Sequence, residues 1–274
     1  PEKIKKGNYD AGYVSAFEKH NFDERKGFGI IPRSDVLWGY WFNSNTPEFA
    51  VTELRQAFAG TVDKNILTSP DYIQGRTDRL YTNVLSPAYD YTPQAVPYDE
   101  SVAQAKYKTA MEKSEDVSAS MTITVLTCED FADSVKKQIQ IWQKVFGIDV
   151  KIKVETRETA IKMMNSGNYQ IAFLPVTITA TNTAEYFRTF MSDSDYNITG
   201  YRNSNYDALI NSLTSSMSQD KENEVYKSCE QSLITYGVVV PVFTEASYFI
   251  TGKDTSGIYS FSESEVYFRN GTID

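Results

Sequence analysis

Three threonines stand at alternate positions, Thr177, Thr179 and Thr181, and Asn182 follows them directly. They come after a stretch, 169–176, apolar enough to be a buried strand and ending at Val176. A chain leaving a buried strand normally turns quickly into solvent. This one instead spends several residues on small hydroxyl and amide groups, each hydroxyl able both to donate and to accept a hydrogen bond. Asn182 with Glu185 also matches a capping box for a helix over 183–191. Local structure and contact with a ligand are both open readings of the segment.

Other reactive side chains lead to less. Glu155 and Glu158 are spaced closely enough to suggest the carboxylate pair of a glycoside hydrolase. They flank a strand-to-helix junction, however, where a glutamate in the first turn answers the helix dipole. Asp193 and Asp195 lie in an acidic run without the glycine and terminal glutamate of a calcium loop. No serine sits in a GxSxG turn, and a single histidine, His20, supplies neither a base nor a ligand set. Cys128 and Cys229 fall in neither a CxxC nor a zinc spacing and read as buried free thiols. The pattern predicts a protein that is not an enzyme, with no metal and no cofactor.

Composition narrows the partners. A net charge of -9 and a pI near 4.8 argue against nucleic acid, since no basic stripe offsets the acids. Aromatic residues make up 14% of the 274, with 19 tyrosines among them. Tyrosine serves cores but also suits surfaces that hold ligands or sugars. No run of about eighteen apolar residues exists to span a membrane. The start, Pro1-Glu2-Lys3, carries no signal-peptide pattern and reads as the interior of a longer protein.

The elements that position these residues alternate. Strands are predicted over 7–14 and 36–43, the second placing Val36, Trp38, Tyr40 and Phe42 on one face. A helix follows Pro47 with Phe49, Leu54, Ala57 and Phe58 as its apolar stripe. Residues 68–98 read as a long ordered loop, and 98–113 as a helix. Then come strand 121–128, helix 130–146, strand 148–155, helix 157–166 and strand 169–176. Helices over 183–191, 204–217 and 219–236 and two closing strands within 238–251 complete the chain. The fold class is α/β, a mixed sheet flanked by helices.

Several motifs in this order resemble the dipeptide/oligopeptide solute-binding proteins of ABC importers, family 5. They are Phe42-Asn43, Pro47-Glu48-Phe49, Arg55-Gln56-Ala57 and Asp63-Lys64, then "GYRNSNYDALINSL" at 200–213 and the ending "VVVPVFTEASYFI". The resemblance implies a Venus-flytrap (type II periplasmic-binding-protein-like) receptor whose two lobes, joined by crossing strands, close on a peptide. Residues 1–274 are similar to the C-terminal lobe alone, so the N-terminal lobe is expected to precede Pro1. It further implies delivery to a membrane permease, and a lipid-anchored, secreted or periplasmic location.

Ligand contacts are expected from Arg157, Val176, Thr177, Thr179, Thr181 and Asn182. Two positions depart from the family. Thr179 stands where relatives often carry an aspartate for the peptide amino terminus, and Arg157 where they often carry a cleft-facing tryptophan. An oligosaccharide ligand, a sensor in a signalling protein and a glycan hydrolase are the alternatives.

Overall fold

The computed structural model describes residues 1–69, 94–177, 183–262, 265–267 and 271–273. Six strands form the main sheet: β1 (Ala11–Ser15), β2 (Gly29–Phe42), β3 (Thr122–Cys128), β4 (Asp149–Glu155), β5 (Ile171–Thr177) and β6 (Val239–Thr251). Their order is β1-β6-β2-β5-β3-β4. β3 pairs in parallel with β4 and β5, whereas β2 pairs antiparallel with β5 and β6. The expected mixed sheet is therefore present. The predicted loop at 68–98 falls largely outside the described residues.

β2 explains why the sheet is covered on both sides. Its alternate residues Trp38, Tyr40 and Phe42 are fully buried, and so are Leu37 and Trp41 between them. Tyr40 meets Trp142 of the Ala132–Phe146 helix at 5.3 Å between ring centroids. Trp41 faces the other way and stacks on Phe190 at 6.3 Å. Both faces of this strand thus need cover, although both of its neighbours are antiparallel to it. The predicted helix stripes are buried as expected, including Phe49, Leu54, Ala57, Phe58, Phe131, Val135 and Trp142.

Several boundaries differ from the sequence reading. The helix expected over 183–191 ends at Arg188, and the one after Pro47 breaks at Val51, whose extended backbone separates Pro47–Ala50 from Thr52–Ala59. Residues 7–10 precede β1 as a turn, because Gly7 adopts φ 70 after the Glu2–Lys5 helix, and Asn8 N donates back to Lys3 O. β2 begins at Gly29 rather than 36, since its first half pairs with the second half of β6. The closing segment is one continuous strand and not two. Pro241 does not divide it, for it sits opposite Gly39 at a register shift where an extra residue of β6 is accommodated. The helix expected over 204–217 ends at Asn211. Beyond it Thr214 and Ser216 bond to each other, the local hydroxyl pairing that competes with helix.

The motif residues behind the resemblance turn out to hold the fold together. Asn43 donates to Gly167 O and Tyr169 O at 3.0 and 2.8 Å, tying the end of β2 to the turn before β5. Arg55, 3% exposed, donates to Phe49 O, Ala50 O, Tyr236 O and Thr52 Oγ1. Burial lowers its pKa to about 10, with Tyr201 and Glu53 acting against the shift, and its hydrogen bonds go to three carbonyl oxygens and a hydroxyl. Arg55→Met leaves these acceptors without donors and is expected to lower stability by about 2–4 kcal/mol in urea unfolding. A loss under about 0.5 kcal/mol, the range of an ordinary surface substitution, contradicts this role.

Candidate functional site

The parallel part of the sheet has a point where the chain reverses direction. From β3 the chain moves outward to β4, then returns past β3 to β5. In open α/β sheets ligands bind outside the carboxyl ends of the strands at such a reversal. Those ends are Cys128, Glu155 and Thr177. The Arg157–Asn165 helix starts directly after β4, capped by Thr156, whose hydroxyl accepts from Thr159 N.

A groove of about 340 Å³ lies there. One wall is the helix face bearing Arg157, Ile161, Met164 and Asn165, spaced as one face of a 3.6-residue helix. The second is the end of β5, Pro175, Val176 and Thr177, with Val36 paired opposite Thr177. The third comes from Tyr186, Thr189, Phe190, Tyr196 and Ile198. Of the six expected contact residues, the structure brings Arg157, Val176 and Thr177 to this groove. Thr179, Thr181 and Asn182 lie outside the described residues, as does the capping box read at Asn182.

Arg157 has a partner the sequence reading did not name. Its Nη2 donates to Glu245 Oε2 at 2.8 Å and its Nη1 to Oε1 at 3.4 Å. Its guanidinium carbon stands 5.2 Å from the centroid of Trp38, a cation–π contact. Trp38 Nε1 donates to the same Glu245 Oε2 at 3.0 Å. The three side chains form a knot that fixes the charged end of the groove. Glu245 lies 88 residues from Arg157, and only its presence as a lone charge in an apolar strand could have signalled it. Tyr186 was also missed. Its ring is 3% exposed and its hydroxyl has no hydrogen-bond partner among the described residues.

The other candidates do not line this groove. Glu155 and Glu158 pair with Lys153 and Lys162 at 3.8 and 2.6 Å on the surface. Cys128 is buried, and burial, with Asp130 adding to it, raises its thiol pKa. A thiol so held is protonated at neutral pH and inert as a nucleophile. Cys128 and Cys229 are both free, as expected. Asp193 and Asp195 are exposed turn residues, and no group of metal-ligating side chains occurs among the described residues.

A model of bacterial extracellular solute-binding proteins, family 5 Middle, matches residues 2–197. The chain belongs to this family. Among curated relatives, it is 24% identical over 231 residues to the probable deoxycholate-binding periplasmic protein YgiS of Escherichia coli, covering 78% of this chain and 41% of the relative. It is 20% identical over 270 residues to the dipeptide-binding protein DppE of Bacillus subtilis, covering 94% and 49%. The solved structure of Haemophilus influenzae OppA in complex with RPPGFSPFR superposes with TM-score 0.66 at 19% identity, covering 99% of this chain and 55% of that one. The chain spans about half the length of the relatives it matches.

The knot makes its own prediction. Arg157 is 41% exposed and Glu245 24%, so solvent screens their attraction. A double-mutant cycle of Arg157→Ala and Glu245→Ala on unfolding stability is expected to give a coupling of about 0.5–1 kcal/mol at low salt. The coupling should shrink in about 1 M salt. A cycle with no coupling at low salt contradicts the pairing.

Proposed function

We propose that this chain is the C-terminal lobe of a two-lobed receptor, the substrate-binding component of an ABC importer. It holds oligopeptides against a preceding lobe and delivers them to a membrane permease. The single observation that carries the reading is family membership combined with a groove at the sheet's reversal point. Half-length coverage of the relatives supports the missing lobe. The family's extracellular description supports a site on the outer side of the membrane, lipid-anchored or periplasmic. The receptor binds and releases its ligand unchanged and is not an enzyme.

The chemistry suits a peptide. A bound peptide presents a donor or acceptor at every residue, and a closed cleft must satisfy each or lose about 1–3 kcal/mol. Arg157 has five N–H donors, of which the bonds to Glu245 engage two. The remainder serve ligand carbonyls or a carboxylate. Val176, Thr177, Thr179, Thr181 and Asn182 provide the adjoining contacts at the end of β5 and beyond it.

Isothermal titration with a peptide mixture tests the two-lobe reading. The full-length protein is expected to bind, and this chain alone to bind at least about tenfold more weakly, since one wall cannot bury a ligand. Equal, tight binding by both contradicts it. Thr179 yields a second prediction, because a buried ammonium without a counter-charge is strongly disfavoured. N-acetylated and free peptides should bind within about threefold of each other, a difference below 1 kcal/mol. A strong preference for the free amine that Thr179→Asp leaves unchanged contradicts the role given to this position.

A further inference from the structure

Resting on the receptor reading above, we propose that Glu245 makes the groove beside β5 selective for an uncharged group of the ligand. It holds the charge of Arg157, so that a ligand carboxylate is refused there and a carbonyl, amide or apolar side chain is taken.

Arg157 lines the groove, is 41% exposed, and is the one charged residue among its described lining. A guanidinium so placed would ordinarily draw a carboxylate, which it can grip with two parallel bonds. Here that grip is already taken. Glu245 accepts from both terminal nitrogens, at 2.8 Å from Nη2 and 3.4 Å from Nη1, and Trp38 lies against the guanidinium at 5.2 Å from its ring centroid. The pair has no net charge, and a second carboxylate on the remaining N–H groups would stand close to the first. Like charges set side by side are a common way for a site to reject a wrong partner. A neutral carbonyl or amide oxygen accepts from the same donors without that repulsion.

A ligand cannot readily push Glu245 aside. Its Oε2 also accepts from Trp38 Nε1 at 3.0 Å, and Trp38 is fully buried. Removing the carboxylate would leave a buried indole N–H without its acceptor, which is costly. The indole cannot follow, because Phe131, Phe173 and Phe243 pack on it at 4.5–5.9 Å. The backbone of Glu245 is held too, opposite Val36 in the pairing of β2 with β6. Among the described residues no lysine or second arginine lines the groove, and Ile161, Met164, Val176 and Phe190 make much of the lining apolar. Glu155 and Glu158, near Arg157 in sequence, have Lys153 and Lys162 as partners.

Three forms of the full-length protein test the selectivity: wild type, Glu245→Gln, and Glu245→Gln combined with Arg157→Gln. Glutamine keeps the shape and the acceptor for Trp38 but not the charge. In the first arm, benzoate and its neutral counterpart benzamide are titrated while the Trp38 indole ¹⁵N–H resonance is followed. In the second, calorimetry compares alanine tripeptides carrying Glu or Gln at each position in turn. Wild type is expected to bind benzamide at least as tightly as benzoate. Glu245→Gln should shift the affinity ratio toward the carboxylate by about tenfold, for benzoate and at one peptide position. Adding Arg157→Gln should remove the shift, which a merely structural loss at Glu245 would not produce. With the expected wild-type result, a shift in either arm that Arg157→Gln abolishes supports the selectivity. A wild type that already prefers benzoate, ratios unchanged in both arms, or a shift that survives Arg157→Gln overturns it. Peptides that bind while both ratios stay unchanged leave the receptor reading standing as the selectivity falls. A benzoate shift lost with Arg157→Gln, with no peptide bound at all, does the reverse.

Discussion

The long antiparallel pairing of β2 with β6 is the constraint on which the rest of the structure depends. The two strands run together from Gly29 to Trp41 and from Val239 to Thr251, with two register shifts. A strand's side chains alternate between faces, so a slip of one residue would turn every one of them over. The shifts fix the register. At Gly39 the backbones approach so closely that a β-carbon would stand 2.8 Å from Val240 O. Only glycine fits there, and the pairing is held to one alignment. The other shift falls between Arg33 and Val36, and just beyond it Val36 faces Glu245.

From that alignment the site follows. Glu245 receives Trp38 Nε1 from β2 and the Arg157 guanidinium from a helix that belongs to the parallel half of the sheet. Trp38 is itself fixed by Phe131, Phe173 and Phe243 at 4.5–5.9 Å. The position of Arg157 at the groove is thus backed by aromatic packing from three strands and the turn after β3. β5 is pinned between β2 and β3, with Trp41 Nε1 donating to Leu174 O at 2.9 Å and Thr127 Oγ1 to Phe173 O at 3.1 Å. Thr177 is therefore presented from a rigid strand end. Such a division, a stiff scaffold with functional residues at its margin, is how recognition surfaces are usually built.

Much of this was legible in the sequence. The run from β3 to β5 follows its hydrophobic periodicity closely, because the alternation that buries each element is local to it, even where, as for β5 on β2, the partner is distant in the chain. The apolar stripe Phe131, Val135, Ile139 and Trp142 was visible as spacing before it was visible as packing. What escaped depends on partners distant in sequence. The first half of β2 is a strand because β6 pairs with it, and nothing local in residues 29–35 requires this. The pairing of Arg157 with Glu245 has the same origin, since position 157 alone describes only a first-turn cation. The unpartnered hydroxyl of Tyr186 is likewise a property of its surroundings, invisible among 19 tyrosines. Conversely, Asn43 and Arg55 drew notice as a family pattern, and their hydrogen bonds show that the pattern preserves architecture.

The central proposal is that the end of β5 and the start of the Arg157–Asn165 helix form a ligand-facing wall. Hydrogen–deuterium exchange of the full-length protein, with and without a saturating mixture of tryptic peptides, tests it most directly. The account predicts slowed exchange at 157–161 and 173–177 on binding, with the outer helices Ser204–Asn211 and Gln219–Thr235 unchanged. Slowed exchange confined to those outer helices, with 157–161 and 173–177 unaffected, would contradict it.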